Sequence, residues 1–170
     1  MTTIRNWYVV YTKPNTEKKF AEQVSSINSG CDVFLPLKTQ KKQWSDRVKL
    51  ITTPLFKSYV FVYLDDFEYH HIKRLSGFVD FIKFNGKASI VNNTEIEKIK
   101  AVISLGFECE PVPNKLVIGS QVEITVGALK GYQGCLVERT NESVFVIEVA
   151  GLDQSLMLSV PANLLQAVEI

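Results

Sequence analysis

The 170-residue sequence predicts an α+β fold in two parts: an α/β sandwich on an antiparallel sheet, then a small β-barrel. Three observations predict it. Over roughly the first hundred residues, aromatic and β-branched runs alternate with segments whose apolar residues recur at helical spacing. Residues 108–115, Glu-Cys-Glu-Pro-Val-Pro-Asn-Lys, then break the pattern, because two prolines within three positions forbid a helix and favour an extended link. After the link only short apolar runs remain, separated by glycines at 119, 127, 131, 134 and 151. The expected division is 1–107, a link at 108–115, and 116–170.

The first element, Trp7-Tyr8-Val9-Val10-Tyr11-Thr12, reads as a buried strand. Pro14-Asn15 ends it, and a helix follows from about Thr16 to Ile27, with Phe20, Val24 and Ile27 as its apolar stripe. Lys18, Lys19, Glu22 and Gln23 face away, and Asn28-Ser29-Gly30 ends the helix. Val33–Leu37 leads into a polar arm, 38–49, whose Ser45-Asp46 has turn chemistry, so two strands fold back on each other there. Phe56–Leu64 reads as a central strand, and Asp65-Asp66 as the start of a helix over about 66–75 that stops at Ser76-Gly77. Val79–Phe84 is a further strand, Asn85-Gly86 a hairpin turn, and Ala88–Val91 a short return. Thr94-Glu95-Ile96-Glu97 has the capping-box pattern and opens a helix carrying Ile96, Ile99 and Ile103, ending near Gly106. Beyond the link, runs at 121–125, 135–139, 144–149, 156–160 and 164–168 are strands, and five of them in so short a stretch suggest an SH3-like barrel. Pro161 and the glycines oppose a helical alternative in this half, while Leu164-Leu165 leave some helical potential near the terminus.

Composition narrows the function. Hydrophobic residues make up 46% and charged residues 22%, enough to build a core and ordinary for a globular protein. No apolar run is long enough to span a membrane, and the N-terminus lacks a signal-peptide pattern. Cys31, Cys109 and Cys135 are odd in number and far apart, which opposes a disulfide framework and a C-x-x-C metal site. The expected setting is therefore cytoplasmic, with no metal and no cofactor. The net charge of +1 conceals ten Lys/Arg against four Asp/Glu over residues 1–60, a balance of +6, and −5 over the rest. A split of that kind steers one half toward a polyanion.

Catalytic patterns are missing. His70 and His71 are adjacent, so on a helix their rings diverge and do not share a metal. Asp65-Asp66 has no third acidic partner nearby and reads as a helix cap. No phosphate-binding or dinucleotide glycine loop occurs, nor a nucleophile elbow. The expectation is a protein that is not an enzyme.

Two stretches carry more information. Val122-Glu123-Ile124-Thr125-Val126-Gly127-Ala128-Leu129-Lys130-Gly131-Tyr132-Gln133-Gly134-Cys135-Leu136-Val137 is a strand, a glycine-punctuated loop and a strand. It resembles the KOW motif, with Gly127, Lys130, Gly131 and Gly134 as its marks. Trp7–Pro14 together with Pro54-Leu55-Phe56-Lys57-Ser58-Tyr59-Val60-Phe61-Val62 looks like the NGN domain of the NusG/RfaH family. The resemblance covers nearly the whole chain, in the family's order of NGN, proline-containing link and KOW. Trp44-Ser45-Asp46-Arg47 ahead of Pro54-Leu55-Phe56 is similar to the specialised UpxY-type antiterminators of Bacteroidetes. Lys57-Ser58 stands where general members of the family have Pro-Gly before the tyrosine.

The resemblance implies a bacterial transcription elongation or antitermination factor whose NGN domain docks on the clamp helices of the RNA polymerase β′ subunit. Tyr11, Phe56, Tyr59, Phe61 and Phe84 are the expected anchors. An ungapped alignment puts Glu68-Tyr69-His70 at the position that touches the β gate loop in one branch of the family, so Tyr69 and His70 join the set. Lys13, Lys19, Lys41, Lys42, Trp44, Arg47 and Arg74 are the expected contacts to non-template or upstream DNA, with Trp44 able to stack on an unpaired base. Ribosomal protein S10 or Rho is the expected partner class for the KOW half, and the factor is expected to act as a monomer. A general NusG-type factor is the alternative. A ribosomal or RNA-binding KOW protein is disfavoured, because residues 116–170 carry only Lys130 and Arg139 as cations amid more numerous acids.

Overall fold

The computed structural model describes residues 4–27, 31–106, 108–113, 119–127, 129–139, 142–149, 151–152, 154–160 and 164–168. The helix stop at Asn28-Ser29-Gly30 and the breaker Pro161 lie outside them. The chain divides into two compact units, Met1–Asn93 and Thr94–Ile170. The division falls at the start of the third helix, ahead of the 107/108 boundary read from the sequence.

The first unit is organised around strand β1 (Asn6–Thr12), followed by helix α1 (Glu17–Ile27) and strand β2 (Asp32–Phe34). A long hairpin of β3 (Leu37–Gln43) and β4 (Val48–Pro54) comes next, then β5 (Tyr59–Leu64) and α2 (Asp66–Ile72). Short strands β6 (Phe78–Phe81), β7 (Lys83–Phe84), β8 (Lys87–Ala88) and β9 (Ile90–Val91) complete it. The main sheet runs β2-β5-β1-β6, antiparallel, with β9 also paired to β1.

Alternation fixes its faces. Val10, Val60, Val62 and Leu64 turn toward one side and pack with Phe20 and Val24 of α1 and Ile72 of α2. Helices α1 and α2 thus cover one face of the sheet through their apolar stripes. The cap at Asp65 forms as the sequence suggested. Its carboxylate accepts from the Glu68 N–H at 2.9 Å, and the Glu68 carboxylate accepts from the Asp65 N–H at 3.0 Å. Arg5 donates to Glu68 at 2.9 Å, which ties the entry of β1 to the start of α2.

Several boundaries differ from expectation, for local reasons. The central strand begins at Tyr59 rather than Phe56, because Ser58 adopts φ +65° and breaks the ladder. Helix α2 ends at Ile72, short of the expected residue 75. The expected strand Val79–Phe84 is split after Phe81, since the Ile82 N–H donates to the Val9 carbonyl while Lys83 and Phe84 enter a separate hairpin. Asn85 and Gly86 turn that hairpin with φ +50° and +76°, as a two-residue connection of this kind requires.

Helix α3 (Asn93–Ser104) opens the second unit and buries Ile96, Ile99 and Val102. It begins ahead of Thr94, so the expected capping box is not the start, and Glu97 pairs instead with Lys100 at 2.9 Å. The stretch expected as a link is extended but also paired: β10 (Cys109–Pro113) runs antiparallel to β14 (Gln154–Ser159). With β11 (Ser120–Ile124), β12 (Gln133–Arg139), β13 (Glu142–Val149) and β15 (Leu165–Ala167), the sheet order is β10-β14-β13-β12-β11-β15. The five strands expected beyond the link all form among the described residues, and β10 adds a sixth to their sheet. Phe145, Ile147, Leu156 and Leu158 are buried within this unit.

Candidate functional site

Tyr11 and Tyr59 are the last directly opposed residues of the β1–β5 ladder, and their rings lie 5.7 Å apart. They share the sheet face opposite α1 and α2, because they alternate with Val10 and Val60. Tyr11 is 39% exposed and Tyr59 half-buried, so the pair lies at the surface end of the ladder. The turn before Tyr59 places Lys57 on the surface and closes through the Tyr59 N–H to the Phe56 carbonyl at 3.3 Å.

Phe56 and Phe61 are not part of that surface. They are 1% and 0% exposed, meet edge to face at 6.2 Å, and Phe61 also lies 5.8 Å from Phe34. Phe61 shares a face with Tyr59, but one repeat further in, opposite the fully buried Val9. The expectation of both as direct contacts is corrected: neither ring is open to a partner here. Phe84 is 75% exposed, next to the turn of the β7–β8 hairpin.

Tyr69 and His70 separate. Tyr69 is stacked flat on Phe81 at 4.1 Å, with the Lys73 ammonium 4.5 Å above its ring, and burial pushes its phenol pKa up. His70 is exposed and edge-on to Tyr69 at 5.4 Å. The neighbouring Phe67 is 79% exposed and pairs with His71 one turn on, at 6.5 Å. Sequence reasoning missed Phe67; an aromatic next to a capping aspartate, outside the apolar stripe, was the available signal.

The polar arm folds back as expected, closing with the Trp44 N–H to the Arg47 carbonyl at 2.8 Å. Residues 41–50 are all exposed. Register sorts them: Lys42 faces Lys49 and Lys38 faces Thr53, while Lys41 faces Leu50 and Gln43 faces Val48 on the other side. Lys38, Lys42, Lys49 and Trp44 therefore share one face, with the Lys42 ammonium 5.2 Å from the Trp44 ring. Two lysines directly opposed repel one another, so this face is set up for an anion. Lys41 points away from it, and Arg47 stands at the turn. Leu50 and Val48, 64% and 60% exposed, line the opposite side.

Lys13, Lys19 and Arg74 are also exposed. Lys13 follows β1 and is fixed by its N–H to the Gly77 carbonyl at 2.9 Å. Lys18, exposed on the side away from the apolar stripe, donates to the Thr52 carbonyl at 3.0 Å and fastens α1 to the base of the arm.

In the second unit, Gly127 and Gly131 have φ +82° and +86°, and Lys130 between them is exposed. The Gly131 N–H closes the loop on the Ile124 carbonyl at 2.8 Å. Gly134 is different: a side chain there would strike the Val146 carbonyl and lie 2.9 Å from the Phe145 ring. Among the described residues, no three His, Cys, Asp or Glu gather as a metal site, and no helix is long and apolar enough to cross a membrane.

Residues 5–100 match the family model described as "Transcription termination factor nusG". The solved structure "Domain interaction in Thermotoga maritima NusG" is similar over 98% of both chains at 19% identity, with a TM-score of 0.62, and shares the fold. A crystal structure of an MjSpt4:Spt5 complex aligns over 96% of this chain and 97% of that one, at 15% identity and a TM-score of 0.32. The comparison with curated proteins finds no match.

Proposed function

The chain belongs to the NusG family of transcription factors, and from that premise we propose that it is a specialised bacterial elongation factor of the UpxY type. It binds RNA polymerase through its first unit and suppresses pausing or termination. The observation that carries this reading is the tyrosine pair Tyr11–Tyr59, partly exposed at the end of the β1–β5 ladder within the matched region. Aromatic anchors with a polar tip dominate protein interfaces, since they bury large area at little entropic cost. The proposed partner surface is the β′ clamp helices, with Phe84 and His70 as further contacts, the latter toward the β gate loop. Lys57-Ser58, in place of the Pro-Gly of general members, favours a specialised role.

The factor does no covalent chemistry in this reading. A bridge that binds the closed polymerase clamp better than the open one shifts that equilibrium by its differential affinity. The basic face of the arm, Lys38, Lys42, Lys49 and Trp44, with Arg47 at its turn, adds contacts to exposed DNA. Lys13, Lys19 and Arg74 extend that role to the surface beside it. The second unit is left for a protein partner such as ribosomal protein S10 or Rho, and the factor works as a monomer in the cytoplasm.

The test is binding to core polymerase together with transcription through a pause and a terminator. Tyr59→Ala should weaken binding about tenfold or more and abolish read-through, with the melting temperature nearly unchanged. Wild-type binding by Tyr59→Ala, or an unaltered pause lifetime with the wild-type factor, overturns the reading.

A further inference from the structure

Ser58 is held in the left-handed region, φ +65°, one residue before Tyr59. A serine there is strained, because its Cβ crowds the following carbonyl; glycine or asparagine is the usual occupant of such a turn position. The strain persists because two other segments grip the residue on both sides. Its N–H donates to the Glu17 carboxylate at 2.8 Å, and its carbonyl accepts from the Thr12 N–H at 2.8 Å and the Thr12 hydroxyl at 3.3 Å. All three residues are buried: Thr12 at 0%, Glu17 at 5% and Ser58 at 7% exposure.

Chain order explains the convergence. Thr12 is the last residue of β1 and Glu17 the first of α1, so the short loop between them brackets Ser58. A carboxylate in the first helical turn is favoured by the helix dipole, yet this one is committed to another segment's backbone. A buried acid with such a bond is costly unless the bond is made.

We propose that Glu17 and Thr12 are positioning residues, which lock the strained Lys57-Ser58 turn and so present Tyr59 beside Tyr11 to RNA polymerase. The inference rests on the polymerase-binding surface proposed above. Tyr59 and Tyr11 form the final pair of their ladder, and beyond them the Thr12–Ser58 bonds are the next contacts between the two segments. If Ser58 relaxes to negative φ, the turn from Phe56 to Tyr59 opens and the tyrosine rim loses its geometry.

The experiment measures polymerase affinity at a temperature where every variant is folded, alongside the amide and aromatic proton spectra of the full chain. Glu17→Met keeps the side-chain volume and removes the acceptor. It should weaken binding roughly tenfold, the effect of one charge-assisted hydrogen bond, and move the Ser58 amide and Tyr59 ring signals while the rest of the spectrum stays. Glu17→Gln keeps an acceptor oxygen and should remain within about threefold of wild type. Adding Ser58→Gly to Glu17→Met should restore most of the affinity, since glycine takes the positive φ without strain. A purely structural role for Glu17 predicts no such rescue of binding. Should Glu17→Met fail to fold, Thr12→Val, which keeps shape and drops only the hydroxyl bond, should weaken binding by about twofold to threefold. Tyr59→Ala serves as the control. If it weakens binding while Glu17→Met and Thr12→Val do not, the positioning role is overturned and the surface stands. If Tyr59→Ala binds normally, the surface itself is wrong.

Discussion

Cys31 sits buried beside the Arg5–Glu68–Asp65 group, and its thiol pKa is pushed from an ordinary 9.0 up to about 12. Burial is the main cause, followed by the hydrogen bond and the negative charge of Glu68. The neutral thiol is thus favoured in the folded chain. Stability from this group is present below pH 9, where both folded and unfolded thiols are neutral. It is lost as the pH rises toward 12, because the unfolded thiol ionises first. The stability gap between wild type and Cys31→Ala should therefore narrow above pH 9 in denaturant titrations, and a constant gap to pH 11 would contradict it. Native alkylation followed by mass spectrometry should label the half-exposed Cys135 well before Cys31. The sequence shows only that Cys31 lacks a nearby cysteine partner. Its environment depends on Arg5 and Glu68, brought together across 63 positions of chain. Phe56 and Phe61 teach the same lesson: period-two alternation tells which side a strand residue faces, but not how far that side is covered.

At the scale of elements, the clearest sequence signals were those that close within a few residues. The arm's turn, the Asp65 cap and the Asn85-Gly86 hairpin form where turn and capping chemistry placed them. The turn at Ser58 was less legible, because serine lacks the glycine signature of a positive φ and the turn depends on Glu17, 41 residues away. Nor did the prolines of 109–113 reveal that the stretch pairs with β14, since an extended link and an edge strand look alike in sequence. Gly134 offers a sharper test of the second sheet. Gly134→Ala should destabilise the protein by about 1–3 kcal/mol, because the methyl meets backbone and a buried ring rather than a flexible side chain. An unchanged melting temperature would mean that β12 and β13 are further apart than described. For the arm, the paired variants Lys42→Ala and Lys49→Ala should each reduce the salt dependence of binding to an elongation complex by about one counterion, and Trp44→Ala should weaken it without changing that slope. Equal slopes for all three would remove the phosphate role of this face.

The whole molecule carries its charge unevenly, +6 over residues 1–60 and −5 beyond, while remaining near neutral in total. That arrangement favours attraction of one region to a polyanion without general stickiness along the chain. In the function proposed above the factor works by occupancy, biasing the polymerase clamp only while bound, by the ratio of its affinities for the two clamp states. Pause lifetime should then fall in proportion to the fraction of polymerases occupied, and level off near one factor per polymerase. At roughly a tenth of that ratio, under tight-binding conditions, only about a tenth of the complexes should escape early, however long the incubation. Single-round transcription with the factor titrated against a fixed polymerase concentration reads this directly. A full effect at the low ratio, growing with time, would instead mean that each molecule acts repeatedly and leaves a lasting change. The occupancy mechanism, and with it the reading of the chain as a non-enzymatic factor, would then be wrong.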